Sequence, residues 1–287
     1  MIPNNNLSVL PFYDSLERQN HRKSYAYGAI YPLFTPYQRI LPFQIMRETN
    51  ANVSIQSVLL YDIKGKLVAD ITQTVVQTGL EVHRYANLGY DVLFYAGVLP
   101  LNYTIAQGQH YIVVRDAFRS YYSEVFTVVW GNMQDYVLIE WWDAETMFFD
   151  AGCIDYTPPF KNKLYLCTQL GKPDYVFEED GEKRDGYFFP EKQISEKTFR
   201  FVFLAPEYLL DVMRIIRMSD YIRVSSMGQT YNCDTFLITP KWQTQGDLAS
   251  VEAEFECATV VKKIGRGYIQ GTKGDFNNDF NNDFNNN

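Results

Sequence analysis

Several things are missing from this 287-residue chain, and each absence removes a class of function. No stretch approaches eighteen consecutive apolar residues, so no membrane-spanning helix is expected. Lysine and arginine form no run longer than two, as at Lys262-Lys263, and the formal net charge is −8. A nucleic-acid partner, which needs a basic stripe to neutralise phosphates, is therefore not expected. The four cysteines (Cys153, Cys167, Cys233, Cys257) show no C-x-x-C spacing. They read as buried free thiols on strands. His21, His83 and His110 lie outside metal-ligand spacing of one another and of any cysteine. The first ten residues lack a basic segment followed by an apolar run, so no signal peptide is expected. No nucleophile elbow, P-loop or H-E-x-x-H is present. The triplet Gly265-Arg-Gly267 with Gly271 misses dinucleotide spacing by one position. The expectation is a non-enzymatic protein with no catalytic residue, cofactor or metal.

What the chain does have is aromatic side chains: 22 Tyr and 20 Phe against four Trp. Tyr and Phe favour strands, and Tyr suits contact surfaces with an apolar body and a polar tip. Residues 1–40, rich in Asn, Pro and Tyr and without steady periodicity, read as an extended arm or irregular edge. From 41 to 131 short β-branched and aromatic runs alternate with Gly, Asn or Pro, the pattern of an immunoglobulin- or fibronectin-like β-sandwich. One hairpin is explicit, from Tyr111–Arg115 through Ala117–Arg119 into Tyr122–Val129. Turn residues at Gly131-Asn132 suggest a domain boundary there.

The second region, 132–268, is expected to be a β-sheet or barrel domain with one packed helix. Tyr136–Trp142 and Leu164–Leu170 read as strands, and the charged run Glu178–Gly186 as a solvated loop. In Thr198–Leu204, Phe199, Phe201 and Phe203 share a face. Pro206 and Glu207 then suit the first turn of a helix over 206–218. Its apolar stripe is Leu209, Val212, Met213 and Ile216. Tyr221–Ser225, a turn at Met227-Gly228, Thr230–Thr239, a turn at Gln245–Asp247 and Leu248–Cys257 complete the series. In the last strand Val251, Ala253, Phe255 and Cys257 face inward, and Glu252, Glu254 and Glu256 form an acidic outer face.

Glu140, Asp143, Glu145 and Asp150 stand beside Trp141 and Trp142. A sugar-cleaving site needs two carboxylates across a groove, whereas a non-catalytic sugar-binding surface needs only the aromatics and polar groups. The tail 269–287 ends in a DFNN repeat. Its Asp275, Asn277 and Asp279 copy the start of a calcium loop, but Phe280 replaces the required glycine and Asn286 the required glutamate. Phe276, Phe280 and Phe284 read as apolar anchors that order against a partner.

The run Phe199–Arg214, with Gln229–Phe236 and Gly246–Glu256, resembles proteins of phages and prophages of gut anaerobes. The order of elements over roughly 136–267 is similar to the ring domain of distal tail proteins of long-tailed phages, although in that family the ring domain comes first. The resemblance implies a virion structural protein, made in the host bacterial cytoplasm, acting as a ring, hub adaptor, tube-end or baseplate component. It implies a homo-oligomer, a hexameric ring in that family, docked to other virion tail proteins. In that setting Phe276, Phe280, Phe284 and the arm serve as clamps, and Glu252, Glu254, Glu256 and the charged run set neighbour register. Recognition of host surface glycan through the first domain is the alternative, and glycan hydrolysis a weaker one. Deleting Gly274–Asn287 is expected to leave the melting temperature unchanged while weakening incorporation into particles, as read by calorimetry and by particle-bound yield.

Overall fold

The computed structural model describes residues 8–17, 33–48, 54–85, 89–100, 102–131, 136–145, 160–242 and 248–263. It is mainly β. The strands before residue 131 are β1 (Phe12–Tyr13), β2 (Phe34–Pro36), β3 (Phe43–Glu48), β4 (Ile55–Asp62), β5 (Leu67–Asp70), β6 (Leu80–Tyr85), β7 (Tyr90–Tyr95), β8 (Gly108–Asp116), β9 (Ser120–Ser123) and β10 (Phe126–Val129). After it come β11 (Val137–Trp142), β12 (Asn162–Leu166), β13 (Asp174–Arg184), β14 (Tyr187–Pro206), β15 (Tyr221–Ser226), β16 (Gln229–Trp242) and β17 (Leu248–Lys263). Two helices interrupt them, α1 (Thr72–Gln77) and α2 (Glu207–Met213), the second followed by a 3-10 turn at Ile216–Met218.

Contacts divide the chain into two compact units. Unit 1 comprises 1–174 and 198–258, so the expected boundary at 131 falls inside it; unit 2 comprises 175–197 and 259–287. Within unit 1, strands β3, β7 and β6 form a three-stranded antiparallel sheet. The larger sheet runs β1-β9-β8-β10-β2-β12-β11-β15-β16-β17-β14, with β4 and β5 branching from β8. One buried cluster spans the unit, joining Phe43, Leu93 and Tyr95 of the small sheet to Leu60, Ile112 and Val114 of the large one. It continues into Trp141, Phe201, Leu209 and Phe255.

Three-residue β2 connects the two parts of the large sheet. It runs parallel to β10, with Thr127↔Phe34 and Val129↔Pro36, and meets β12 through Tyr165↔Phe34. Pro36 is tolerated because it ends its strand and needs to donate no ladder hydrogen bond. This segment and its predecessor correct the expectation of a free arm. Val9, Leu10 and Leu33 are fully buried, and β1 pairs with β9. The described parts of 1–40 belong to the protein's own core and are not available as a clamp. The rest of the arm, including His21, lies outside the described residues.

A buried ionic triad joins the two sheets. Arg47 on β3 faces Asp91 directly across the β3–β7 ladder, with Nη2 at 3.9 Å from the carboxylate. Its Nη1 donates to Asp116 of β8 at 3.2 Å. Asp116 also accepts from the backbone N–H groups of Phe118 and Arg119, both at 2.8 Å, which closes the β8–β9 hairpin. Burial beside this carboxylate pushes the Tyr121 hydroxyl up to about 12.

The helix expected over 206–218 is shorter, Glu207–Met213, and is followed by the 3-10 turn Ile216–Met218. Pro206 occupies the N-cap, Glu207 the first turn, and Leu209, Val212, Met213 and Ile216 are buried. Beneath it Phe199 stacks on Phe255 at 5.3 Å, and Phe201 contacts Phe203 at 5.9 Å. Two readings of strands are refined. The β-branched run from Leu67, which reads as strand as far as Thr72, ends at Asp70 and gives way to α1, where Asp70 accepts from the Thr72 N–H at 2.9 Å. The second arm of the expected hairpin, Tyr122–Val129, breaks at buried Glu124, whose carboxylate accepts from the Val125 N–H at 3.0 Å and the Tyr13 hydroxyl at 3.1 Å.

In unit 2 the structure overturns one reading outright. The charged run 178–186 is not a loop: it forms most of β13 and the turn into β14. Asp185 and Gly186 both have positive φ, at 50° and 85°, as a two-residue primed hairpin turn requires.

Replacing Arg47 with Met is expected to leave buried Asp116 without its cation, and Asp91 with Arg84 alone at 3.5 Å. The expected loss is about 3–5 kcal/mol, or a melting temperature lower by roughly 10 °C. Calorimetry on purified protein measures it, and an unchanged transition would show the triad to be dispensable.

Candidate functional site

Two surfaces stand out among the described residues, one in each unit. In unit 1 the outer face of β12, β11 and β15 carries charge and aromatic rings together. Strand alternation puts Trp141 in the core, fully buried, and its neighbour Trp142 on the outer face. Opposite Trp142 across the ladder is Tyr221. The two rings stack, 5.4 Å between centroids and 16° apart in plane, and Tyr221 is 49% exposed. Lys161 Nζ lies 4.1 Å from the Trp142 centroid and the Arg223 guanidinium carbon 5.0 Å from it. Glu140, one step along β11, pairs with Lys163 at 3.6 Å and with Arg223 at 4.0 Å. Burial pushes the Lys163 ammonium down from its ordinary value, and the adjacent Glu140 carboxylate opposes that shift.

The end of this platform is tied by a reciprocal pair of turns. The Asp220 N–H donates to Asp143 Oδ1, and the Ala144 N–H donates to Asp220 Oδ2, each at 2.9 Å. These bonds fix where β11 ends and β15 begins, and so hold Trp142 against Tyr221. Asp143 is buried, and desolvation pushes its carboxyl above the ordinary value despite the Asp220 N–H.

The carboxylates considered for sugar cleavage are thus committed differently. Glu140 serves its two cations and Asp143 the turn, Glu145 is exposed, and Asp150 lies outside the described residues. Tyr221, Lys161 and Arg223 were not singled out from the sequence. The alternation of β11 and the strand starting at Tyr221 were the signals that could have placed them on one face.

The acidic face of β17 is present but internally matched. Glu252 pairs with Lys241 at 3.4 Å, Glu254 with Arg200 at 2.5 Å, and Glu256 accepts from the Thr235 hydroxyl at 3.0 Å. Glu252, Glu254 and Glu256 thus each have a partner on a neighbouring strand of their own sheet. Exposed ion pairs of this kind contribute little to stability, and Val202, Leu204 and Leu237 lie exposed on the same strands. Phe276, Phe280 and Phe284 lie outside the described residues, as do Asp275, Asn277, Asp279, Gly265, Gly267 and Gly271.

In unit 2 the hairpin β13–β14 is exposed on both faces from Tyr175 to Asp180. Tyr175, Phe177 and Tyr187 are 71%, 61% and 72% exposed, with Val176 and Phe188 also open. Gln193 donates to Glu179 at 2.6 Å. The acids that suggested a loop lie between the apolar runs Tyr175–Phe177 and Tyr187-Phe188 along an exposed ribbon.

Of the cysteines, Cys167 is exposed, against expectation, while Cys233 is part-buried and Cys257 buried. Cys153 lies outside the described residues. Cys233 and Cys257 face each other across β16 and β17, and burial pushes the Cys233 thiol up to about 12. His83 contacts Glu81 and His110 contacts the Ala106 carbonyl. Among the described residues no three His, Cys, Asp or Glu side chains gather as a metal site. Among the described residues no helix is long and apolar enough to cross a membrane.

Comparison with protein-family models, with curated proteins and with solved structures finds no match for this chain.

The Asp143 carboxyl generates a pH prediction. A carboxyl whose folded value is raised favours folding when protonated, so its contribution is present below the ordinary value of 3.8 and is lost as pH rises through the folded value. Asp143→Asn is expected to remove that slope. Its melting temperature relative to the parent should be higher at about pH 7 than at about pH 4, as thermal melts across that range will show.

Proposed function

We propose that this chain is a non-enzymatic structural component of a bacteriophage tail, acting by oligomeric assembly and by docking to other virion tail proteins. The observation that supports this most is the β13–β14 hairpin. Among the described residues none from 175–197 joins a buried core. The two strands carry Tyr175, Val176, Phe177, Tyr187 and Phe188 open to solvent. Exposed aromatics on a ribbon without a core of its own are the kind of group that anchors a protein interface.

The finer architecture belongs to the same proposal. Residues 41–131 are read as an immunoglobulin- or fibronectin-like sandwich, supported by the three-stranded sheet and the large sheet sharing one core. Residues 132–268 are read as a tail-ring-like module, supported by the order of β14, α2, β15, β16 and β17. The reading takes in ring, hub-adaptor and baseplate positions, with the protein made in the bacterial cytoplasm and located in the virion.

Light scattering coupled to gel filtration, at micromolar concentration, is expected to show an oligomer for the full chain. The double variant Phe177→Ser, Tyr187→Ser is expected to shift it toward monomer at unchanged melting temperature. A strictly monomeric parent protein, or an oligomer indifferent to the two substitutions, would remove the hairpin from the assembly.

A further inference from the structure

We propose that the outer face of β12, β11 and β15 binds a carboxylate-bearing saccharide, with Tyr221 as the stacking surface and Lys161 and Arg223 as the groups that receive the carboxylate. The inference is independent of the assembly reading, since it concerns a different surface and a different class of ligand.

The case rests on three features of the platform. The first is the ring geometry. Trp142 and Tyr221 lie nearly parallel, Lys161 and Arg223 lie over Trp142, and Tyr221 is 49% exposed. A pyranose presents an apolar face of axial C–H groups, which stacks on such a ring. The second is charge. Lys161, Lys163 and Arg223 gather here in a chain whose net charge is −8, and among the described residues they pair with one carboxylate, Glu140. Lys163 is held by Glu140 at 3.6 Å, while Arg223 is 4.0 Å from it and Lys161 touches only the Trp142 ring. A carboxylate on a ligand is the complementary group for a planar guanidinium beside an ammonium. The third is rigidity. The Asp143–Asp220 exchange of backbone hydrogen bonds fixes the strand ends, so the rings and cations are held in place before any ligand arrives.

The balance of charge also chooses between polyanions. Asp220 precedes the platform and Asp234 follows Cys233 on the neighbouring strand, and both are exposed. A densely charged phosphate backbone would be repelled by these acids and by the chain's overall sign. A sugar with one carboxylate per one or two rings fits the few cations present.

The test uses the full chain with two probes, hexagalacturonate and a hyaluronan hexasaccharide, followed by calorimetry. Maltohexaose and a short oligothymidylate serve as neutral-sugar and nucleic-acid comparisons. At least one acidic probe is expected to bind, with affinity falling as salt is raised. Tyr221→Ala and Lys161→Ala are each expected to weaken binding about tenfold or more at unchanged melting temperature, and Tyr221→Phe to preserve it. Because the readout is binding by a folded chain of any oligomeric state, its failure does not touch the assembly reading. The proposal is overturned if neither acidic probe binds, if maltohexaose or oligothymidylate binds equally well, or if Tyr221→Ala binds like the parent.

Discussion

Arg47 is the point on which the two sheets of unit 1 depend. Its guanidinium pairs with Asp91 on its own sheet, which Arg84 also reaches at 3.5 Å, and with Asp116 on the other. Two carboxylates and one guanidinium removed from water are costly when separated and acceptable when combined. The consequence is geometric. Asp116 can close the β8–β9 turn only while its other oxygen is neutralised, and β3 can lie over β8 only where Arg47 reaches it. An apolar core tolerates sliding between sheets; this triad specifies one register between them.

The remaining order follows from alternation within strands. The same period of two that buries Trp141 delivers Trp142 to the surface, and the one that buries Phe199, Phe201 and Phe203 leaves Arg200, Val202 and Leu204 outside. The binding face and the core are therefore one object seen from its two sides. A substitution that shifted β11 by one residue would exchange the two tryptophans and lose both.

Much of this was legible in the chain. The inward and outward sets of β17, the helix stripe of Leu209, Val212, Met213 and Ile216, and the turn at Met227-Gly228 all follow from local periodicity and turn chemistry. The hairpin β13–β14 was not read, because its acids suggested solvent, yet Asp185-Gly186 was the stronger signal: both positions adopt positive φ. Helix α1 was masked by β-branched Thr72, Thr74 and Val75, and its start depends on a hydrogen bond from Thr72 to Asp70. The burial of Val9, Leu10 and Leu33 could not be read locally, since their covering strands come from far along the chain. The platform failed to show for the same reason: Trp142, Lys161 and Tyr221 meet only across ladders.

Strand β2 has a consequence in time. During synthesis Phe34–Pro36 leaves the ribosome roughly ninety residues before β10 and well before β12, the two strands it holds together. Until then it has no ladder to join, and the two parts of the large sheet have nothing to seat between them. Closure of such distant pairings is slow. The nascent chain therefore carries unsealed strand edges for much of its translation, an interval in which a chaperone would find them.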